Sequence, residues 1–325
     1  AAPNFLRSNR LFHAVSFSGG KDSTAMLLLM IERGLPIDMV LTADTGMEFP
    51  EMYRHWDRIE QYLFQKRGLK LTILRHPKGF EWLMFDEPKS KRSSLENRAL
   101  LGVPPYGNGW PGVKVRWCTG QLKTHLLQKE VNRLKGEYHA LHYIGIAADE
   151  AHRVEKEQYP LVEWGITERQ ALQICYDRGY DWGGLYEFYN RCSCWCCPLQ
   201  RIRELRTLRR QHPQLWARLQ DMDRRAIDQF GVNSPLGQFR KDWTVEQLEK
   251  RFAAEDQQQV LCAQGGNATV TNRKNDPAEE VRQLLKGTPP QNILISFDGK
   301  PPQSLEEHAK RLEKQKPKKR NKHTR

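Results

Sequence analysis

Short apolar runs alternate with longer amphipathic segments along the first half of the chain. The apolar runs have the length of buried strands, and they cover residues 11–17, 37–43, 69–75 and 140–148. Segments with helical spacing of apolar positions lie between them, at residues 24–34, 51–68 and 121–134. Strands that alternate with helices in this way predict a doubly wound parallel sheet of the α/β class.

The pattern changes after about residue 150. Residues 166–179 have helical spacing, with Thr167 as the expected N-cap, and residues 77–115 are rich in Pro and Gly and are expected to form an irregular substrate loop. We expect three parts: an α/β domain at residues 1–165, a helical region with a cysteine cluster at 166–255, and a polar, basic, largely flexible tail at 256–325.

Charge and composition narrow the range of functions. The chain is 38% hydrophobic and 28% charged, with a net charge of +13. No apolar run is long enough to cross a membrane, and the first residues lack the pattern of a secretion signal, so the expected location is the cytoplasm. Excess positive charge favours a polyanion partner, and charge alone does not choose between a nucleotide, tRNA and DNA. A solvated basic surface without such a partner is the alternative.

A polar loop lies directly between the first strand and the first helix. Its sequence is Ser18-Gly19-Gly20-Lys21-Asp22-Ser23. Glycines let a backbone approach a phosphate closely, and the first amides of the following helix point at that phosphate. The spacing differs from that of a Walker loop. The sequence therefore predicts a different kind of phosphate-binding loop, with an ordinary glycine-rich turn as the alternative.

Charged residues at other strand ends are further candidates for the site. Asp44 follows the second strand, where open α/β sheets place their ligands, and a carboxylate there would orient a nucleotide or hold Mg²⁺. The alternative for Asp44 is an N-cap of the helix that starts near Pro50. Asp149 and Glu150 follow the fourth strand, and the cations that could bind an anion are Arg116, Lys123 and Arg153.

The cysteines are clustered. Of the seven in the chain, four fall within six residues, namely Cys192, Cys194, Cys196 and Cys197, and Cys118 lies far upstream. Without a secretion signal, such crowding favours metal, cluster or thiol chemistry over a set of disulfides. Thiolates at this spacing suit zinc and an iron–sulfur cluster equally well. Cys175 is expected in the core.

Several ordered motifs resemble one family. The loop is similar to that of the PP-loop ATP pyrophosphatases, and the Asp44–Pro50 segment resembles a motif of the phosphoadenosine-phosphosulfate (PAPS) reductase family within that superfamily. Further blocks resemble this family in the same order, at Arg116–Thr119, Lys123, Gly145–Glu150 and Tyr159–Trp164. The resemblance covers residues 11–215. Beyond about residue 225 no resemblance is found.

The resemblance implies ATP and Mg²⁺ as cofactors, with the loop holding the pyrophosphate of ATP. It implies catalytic roles for Lys21, Asp22 and Asp44. The residues expected to bind the nucleotide or the substrate anion are Ser18, Gly19, Gly20, Lys21, Asp22, Ser23, Asp44, Gly46, Arg116, Lys123, Asp149 and Glu150.

The resemblance also implies a [4Fe–4S] cluster, with zinc as the alternative. The expected ligands are Cys118, Cys194 and Cys197. Members of the family with a cluster have paired cysteines at the first block, whereas Thr119 follows Cys118 here. Either Cys192 or Cys196 then supplies the fourth ligand, or one iron is open to carry a labile sulfide.

Three functions remain open. The first is an ATP-dependent sulfur transferase that adenylates tRNA or DNA and takes sulfur from a donor such as a cysteine desulfurase. The second is a sulfonucleotide reductase, but the late cysteine Cys262 lacks the neighbouring Glu and His of the reductase nucleophile. The third is a non-catalytic nucleotide-binding regulator of transcription or defence. The oligomeric state is not indicated by the sequence.

Overall fold

The chain forms two compact units. In the computed structural model these are Ala1–Val245 and Glu246–Arg325. The structure describes residues 8–192 and 194–263, together with the short segments 268–271, 293–296 and 303–304. The predicted boundaries at residues 165 and 255 stay predictions.

A four-stranded parallel sheet forms the centre of the first unit. Its strands, in chain order, are β1 (Ser8–Ser16), β2 (Met39–Asp44), β3 (Leu71–Arg75) and β4 (Tyr138–Ile144). Their order across the sheet is β3-β2-β1-β4, with Val15 opposite Val40 on one side and Tyr143 on the other. The predicted α/β class is therefore confirmed.

Eleven α-helices are described in the first unit. They are α1 (Lys21–Glu32), α2 (Pro50–Arg67), α3 (Gly79–Phe85), α4 (Arg92–Leu101), α5 (Trp117–Thr119), α6 (His125–Glu137), α7 (Pro160–Glu163), α8 (Glu168–Tyr176), α9 (Leu185–Phe188), α10 (Ile202–Gln211) and α11 (Pro213–Phe230). A π-helical turn at Gly120–Thr124 joins α5 to α6, and 3₁₀ turns lie at Ala148–Arg153 and Trp182–Gly184.

Apolar packing against the sheet fixes the strands and helices that carry the site. Val131 and Leu134 of α6 pack on Ala14 of β1 and Leu41 of β2, and all four are buried. Helix α1 is buried along nearly its whole length, which explains its continuous apolar sequence. The start of α1 is thereby held at the carboxyl end of β1.

The prediction for residues 77–115 was wrong in part. The segment contains α3 and α4 as well as irregular chain. Arg98 on α4 is 7% exposed and donates to the carbonyl oxygens of Pro104, Tyr106 and Gly107. One buried guanidinium therefore satisfies several carbonyls of the irregular chain, which the density of Pro and Gly conceals in the sequence.

The N-cap expected at Thr167 is confirmed. Its hydroxyl accepts from the amide of Gln170, whose side chain accepts in turn from the amide of Thr167, which forms a capping box at the start of α8. Cys175 on α8 is fully buried, as expected. Helix α8 packs on α1, so this cap holds the helix beside the phosphate loop.

The second unit contains nearly all of α12 (Val245–Ala263) and the short strands β5 (Ala268–Thr271), β6 (Ile293–Ser296) and β7 (Gln303–Ser304). The three strands form a sheet in the order β5-β6-β7. Most of the expected tail at 256–325 lies outside the described residues, as does the side chain of Cys262. None of the described helices is long and apolar enough to cross a membrane.

Candidate nucleotide and thiol site

The predicted phosphate loop is a tight turn between β1 and α1. Gly19 adopts a φ of +82°, which disfavours residues with a Cβ. The Ser18 amide donates to Ser23 Oγ at 3.2 Å, and Ser23 Oγ donates to the Gly20 carbonyl at 3.1 Å. These bonds close the loop around the first turn of α1, where helix amides attract anions.

Close contacts explain two of the glycines. A Cβ on Gly19 would lie 2.1 Å from Trp56 Nε1 of α2. A Cβ on Gly145, just beyond β4, would lie 2.7 Å from the backbone nitrogen and Cα of Ser23. Both glycines therefore let neighbouring elements press directly against the phosphate loop.

Lys21 is the buried cation of this loop. It is 8% exposed, and its Nζ lies 3.0 Å from Asp22 Oδ2 and 3.1 Å from Glu168 Oε2. Burial raises the pKa of Asp22, although Lys21 opposes the shift, and Glu168 and Glu150 raise it further. Two carboxylates thus contact one ammonium group, and Glu168 was not predicted from the sequence.

The aromatic segment before the cysteines covers the loop. Trp182 Nε1 donates to the Gly19 carbonyl at 2.7 Å, and the Lys21 amide donates to the Tyr186 hydroxyl at 2.8 Å. The two rings meet edge-on, with centroids 4.7 Å apart. Neither residue was predicted, because no local pattern links positions more than 160 residues away from the loop.

Asp44 shapes the turn after β2. Its Oδ1 accepts from the Gly46 amide at 2.8 Å and from the Tyr53 hydroxyl at 2.9 Å, and its Oδ2 accepts from Arg75 Nε at 2.9 Å. The residue is 7% exposed. Its alternative role as the N-cap of α2 is wrong, because Phe49 occupies that position.

The same turn contacts the cysteine segment. Thr45 Oγ1 lies 3.5 Å from Cys194 Sγ and donates to Glu48 Oε1 at 3.1 Å. Glu48 is 6% exposed and pairs with Lys123 Nζ at 3.1 Å. The Trp195 amide donates to the Met47 carbonyl at 3.0 Å. The cysteines therefore lie at the carboxyl end of β2.

Lys123 projects from the π-helical turn, a feature that often marks functional sites. Burial lowers its pKa, but the neighbouring Cys194 and Glu48 outweigh that effect, so that the pKa stands above its usual value. Arg116 lies close enough to Cys197 to lower the pKa of that thiol in part. Two of the three predicted cations, Arg116 and Lys123, thus lie beside the thiols.

The structure separates the candidate ligands. Cys196 interacts electrostatically with Cys194, Cys197 and Cys118. Cys192 instead hydrogen-bonds to the Tyr186 hydroxyl and interacts with Glu48, Lys21 and Glu51. We call Cys118, Cys194, Cys196 and Cys197 the four-thiol group. Cys196, rather than Cys192, is the better candidate for a fourth ligand.

Burial dominates the thiol chemistry. It raises the pKa of Cys194 to about 12, and it also raises the pKa of Cys118, Cys196 and Cys197. Buried neutral thiols are poor nucleophiles, whereas a bound cation would deprotonate them. Among the described residues, which omit Ser193, no three His, Cys, Asp or Glu side chains converge closely enough to hold a metal ion.

Asp149, Glu150 and Arg153 have local partners. Asp149 Oδ1 accepts from the Glu168 amide at 2.9 Å, which supports the start of α8. Glu150 pairs with Arg153 and lies 3.3 Å from Arg191. The structure therefore places Asp149 and Glu150 next to the segments that flank Lys21, while Arg153 neutralises Glu150.

Arg240 supports the cysteine segment from a distance in sequence. Its Nη1 donates to the carbonyls of Pro198 and Gln200 at 2.6 Å each, and Gln200 Nε2 donates to the Cys194 carbonyl at 3.1 Å. A lone arginine more than 40 residues downstream carries no recognisable signal in the sequence. Its hydrogen bonds hold the chain that follows the cysteines in place.

Comparisons with known proteins agree with this geometry. Residues 13–98 match the phosphoadenosine phosphosulfate reductase domain. An uncharacterized protein of Methanocaldococcus jannaschii is 25% identical over 241 residues, which cover 67% of this chain and 42% of that relative. The match therefore spans less than half of the relative's length.

The parallel sheet and the loop between β1 and α1 are features that a nucleotide-utilising enzyme of the PP-loop superfamily would have, and the domain match over residues 13–98 agrees with them. For residues 13–98, this match confirms the resemblance to the phosphoadenosine-phosphosulfate reductase family that the sequence motifs predicted.

Proposed function

We propose that this protein is an ATP-dependent sulfur transferase, which adenylates an acceptor and then delivers sulfur to it. One observation carries the proposal: Cys194 Sγ lies 3.5 Å from Thr45 Oγ1 and 3.7 Å from Glu48 Oε1, in the turn after β2. The phosphate loop follows the neighbouring strand β1. A thiol group and a phosphate-binding loop thus share one edge of the sheet, where α/β enzymes bind their ligands.

The proposed reaction has two balanced steps. An acceptor oxygen attacks the α-phosphorus of ATP, the bond to the β-phosphate oxygen breaks, and pyrophosphate leaves with that electron pair. A hydrosulfide then bonds to the carbon or phosphorus atom that carries the adenylated oxygen. The bond from that atom to the oxygen breaks, and AMP leaves with the oxygen and the electron pair. No atom is oxidised or reduced when sulfur arrives as hydrosulfide, which a sulfur donor such as a cysteine desulfurase with a reductant would supply.

The residues of the loop would act on the first step. The amides at the start of α1 and the Lys21 ammonium would bind the departing pyrophosphate, whose negative charge grows as the bond breaks. Asp44 and Asp22 are the carboxylates that would bind Mg²⁺. Asp44 is already bonded to Arg75 and Tyr53, so it would meet the ion only if it exchanged one of these partners.

The four-thiol group is the proposed holder of a [4Fe–4S] cluster. Four thiols suit such a cluster in kind and number, and Zn²⁺ is the alternative. The thiols would have to approach one another to bind either. A cluster held by all four thiols would have no open iron, whereas one held by three of them would leave an iron to carry a labile sulfide.

Nucleic acid is the proposed acceptor. Residues 201–225, which follow the cysteines and form α10 and most of α11, contain eight arginines against three acidic residues. Part of this charge is neutralised locally, since Arg225 pairs with Asp86 at 3.2 Å and Arg224 with Asp221 at 3.0 Å. The excess of basic over acidic residues in this run supports binding of tRNA or DNA beside the thiols.

Pyrophosphate release tests the proposal directly. Anaerobically purified protein is incubated with ATP, hydrosulfide and tRNA or DNA, and pyrophosphate and thiolated nucleic acid are measured. We expect acceptor-dependent release, reduced at least about 30-fold in Lys21→Ala because a charge-assisted phosphate contact is lost. Sulfite release from PAPS or adenylyl sulfate, without pyrophosphate release from ATP, would establish the reductase instead. Nucleotide binding without either reaction would favour the non-catalytic regulator.

A further inference from the structure

Both phosphate-binding groups of Lys21 already have partners inside the protein. Its backbone amide, the first of α1, donates to the Tyr186 hydroxyl at 2.8 Å. Its ammonium group contacts Asp22 at 3.0 Å and Glu168 at 3.1 Å. Asp22 belongs to the loop itself, but Tyr186 and Glu168 come from segments more than 140 residues away.

The Tyr186 hydroxyl lies where a helix attracts an anion. A Cβ on Gly20, the N-cap of α1, would be 3.5 Å from this hydroxyl. The phenol therefore stands directly over the end of the helix, at the positive end of its dipole. Its oxygen takes the position that a phosphate oxygen would take on the Lys21 amide.

A tight turn brings Tyr186 to this position. Trp182, Gly183 and Gly184 all adopt positive φ, at +52°, +59° and +83°. Trp182 anchors the turn through its bond to the Gly19 carbonyl, and the Cys192 thiol hydrogen-bonds to Tyr186 from the other side. A left-handed φ is unfavourable for tryptophan, so local preference alone does not favour this turn.

We propose that Tyr186 and Glu168 are internal substitutes for phosphate, which the nucleotide displaces when it binds. The inference rests on the proposed ATP site. An amide hydrogen makes one good hydrogen bond at a time, so a phosphate oxygen can bind the Lys21 amide only after the phenol has left it. The Lys21 ammonium group has three N–H donors, so Glu168 opposes phosphate there through its negative charge rather than by occupying the only donor. The two residues keep the free site satisfied and weaken nucleotide binding.

Equilibrium binding of ATP and of inorganic pyrophosphate tests this. Tyr186→Phe removes only the hydroxyl, and Glu168→Gln removes only the charge. We expect each variant to bind ATP and pyrophosphate about 3- to 10-fold more tightly than the wild type. In Tyr186→Phe the Lys21 amide has no phenol to release, and in Glu168→Gln a negative charge that repels phosphate is gone. Tyr180→Phe is the matched control, because Tyr180 packs edge-on against His55 away from the Lys21 amide, and its affinity should not change.

Hydrogen exchange gives a second readout that needs no nucleotide. The first amides of α1 should exchange faster in free Tyr186→Phe than in the wild type or in Tyr180→Phe. Unchanged or weaker binding in Tyr186→Phe, or unchanged exchange, would overturn the inference while leaving the ATP site intact. Tighter nucleotide binding, without release of pyrophosphate from ATP in the presence of any acceptor, would support the inference and overturn the sulfur transferase. No binding of ATP or pyrophosphate by any of these proteins would overturn both.

Discussion

His55 lies on α2, where it packs against α1 and the segment that covers the phosphate loop. It is 2% exposed. Its Nε2 hydrogen-bonds to Thr24 Oγ1 at 3.0 Å, and its ring lies 4.6 Å from the Trp182 ring. Its pKa is lowered to about 3, mainly by burial, with Arg58 adding to the shift and Asp181 opposing it. The folded protein therefore keeps this imidazole neutral.

This shift predicts loss of stability in acid. The pKa of His55 is lower in the folded than in the unfolded protein, so its contribution is present above about pH 6.5 and is lost as pH falls toward 3. The full shift corresponds to about 5 kcal/mol of unfolding free energy. Denaturant titrations at pH 7 and pH 5 should show a smaller fall for His55→Gln than for the wild type. His125 is exposed, so His125→Gln should lose as much unfolding free energy between pH 7 and pH 5 as the wild type. An equal loss in all three proteins would contradict the prediction.

The division of the cysteines predicts which thiols hold iron. Cys196→Ala should lose most of the iron and the visible absorbance of anaerobic protein, as should Cys118→Ala. Cys192→Ala should keep both, because its thiol faces Tyr186 and the phosphate loop rather than the four-thiol group. Iron and zinc analysis of the purified variants decides the matter. Loss of iron in Cys192→Ala with retention in Cys196→Ala would return Cys192 to the ligand set.

At the scale of the elements, the end of β4 packs closely on the start of α1 at the phosphate loop. The contact depends on Gly145, which does not have a positive φ, so only the lack of space disfavours a side chain there. Gly145→Ala would place its methyl group 2.7 Å from the Ser23 backbone and 3.0 Å from the Asp22 carbonyl carbon. Backbone cannot yield as a side chain does, so α1 must shift and misplace its anion-binding amides. We expect ATP affinity to fall at least about 10-fold, the effect of losing about 1.4 kcal/mol.

Gly136→Ala is the matched control. Gly136 lies near the end of α6 with nothing within 4 Å of its added Cβ, and alanine is the better helix former by about 0.5–1 kcal/mol. The variant should bind ATP like the wild type and be equally or more stable. Calorimetric titration with ATP, together with thermal unfolding, measures both effects. Normal ATP affinity in Gly145→Ala would mean that the loop tolerates the shift or does not bind phosphate.

Local signals explain which elements the sequence predicted. The strands and α1 carry continuous apolar runs, and the cap at Thr167 depends on residues only three positions apart. Helices α3 and α4 were missed because prolines and glycines surround them. The turn at Trp182–Gly184, the partner Glu168 and the brace Arg240 depend on contacts across the fold, for which a single sequence holds no periodic or spacing signal.

At the scale of the whole molecule, charge is the property that points to a partner. The chain carries +13, and its basic residues are concentrated in the run at 201–225 and in the last 25 residues, where nine Lys and Arg stand against three Glu. Ion pairs reduce the excess on α11, where Arg218 and Arg225 reach the carboxylates of Glu81 and Asp86. Helix α10, which directly follows the cysteine segment, carries Arg206, Arg209 and Arg210.

We expect tRNA or duplex DNA to bind with a sub-micromolar Kd at about 50 mM salt, because each phosphate neutralised by Lys or Arg releases a counterion. The logarithm of the affinity should fall linearly with the logarithm of the salt concentration, with a slope of about −0.9 per phosphate contacted on duplex DNA. Fluorescence anisotropy at several salt concentrations measures both quantities.

Charge reversal then locates the surface. Arg209→Glu with Arg210→Glu should weaken nucleic-acid binding and make the salt slope shallower, while ATP affinity stays unchanged. Lys66→Glu with Lys129→Glu makes the same change in net charge at exposed positions of α2 and α6, and should weaken binding less, since long-range field effects alone remain. Equal losses in both pairs would reduce the effect to net charge. Negligible affinity of the wild type at about 50 mM salt would remove the nucleic-acid acceptor and leave a sulfonucleotide as the better substrate.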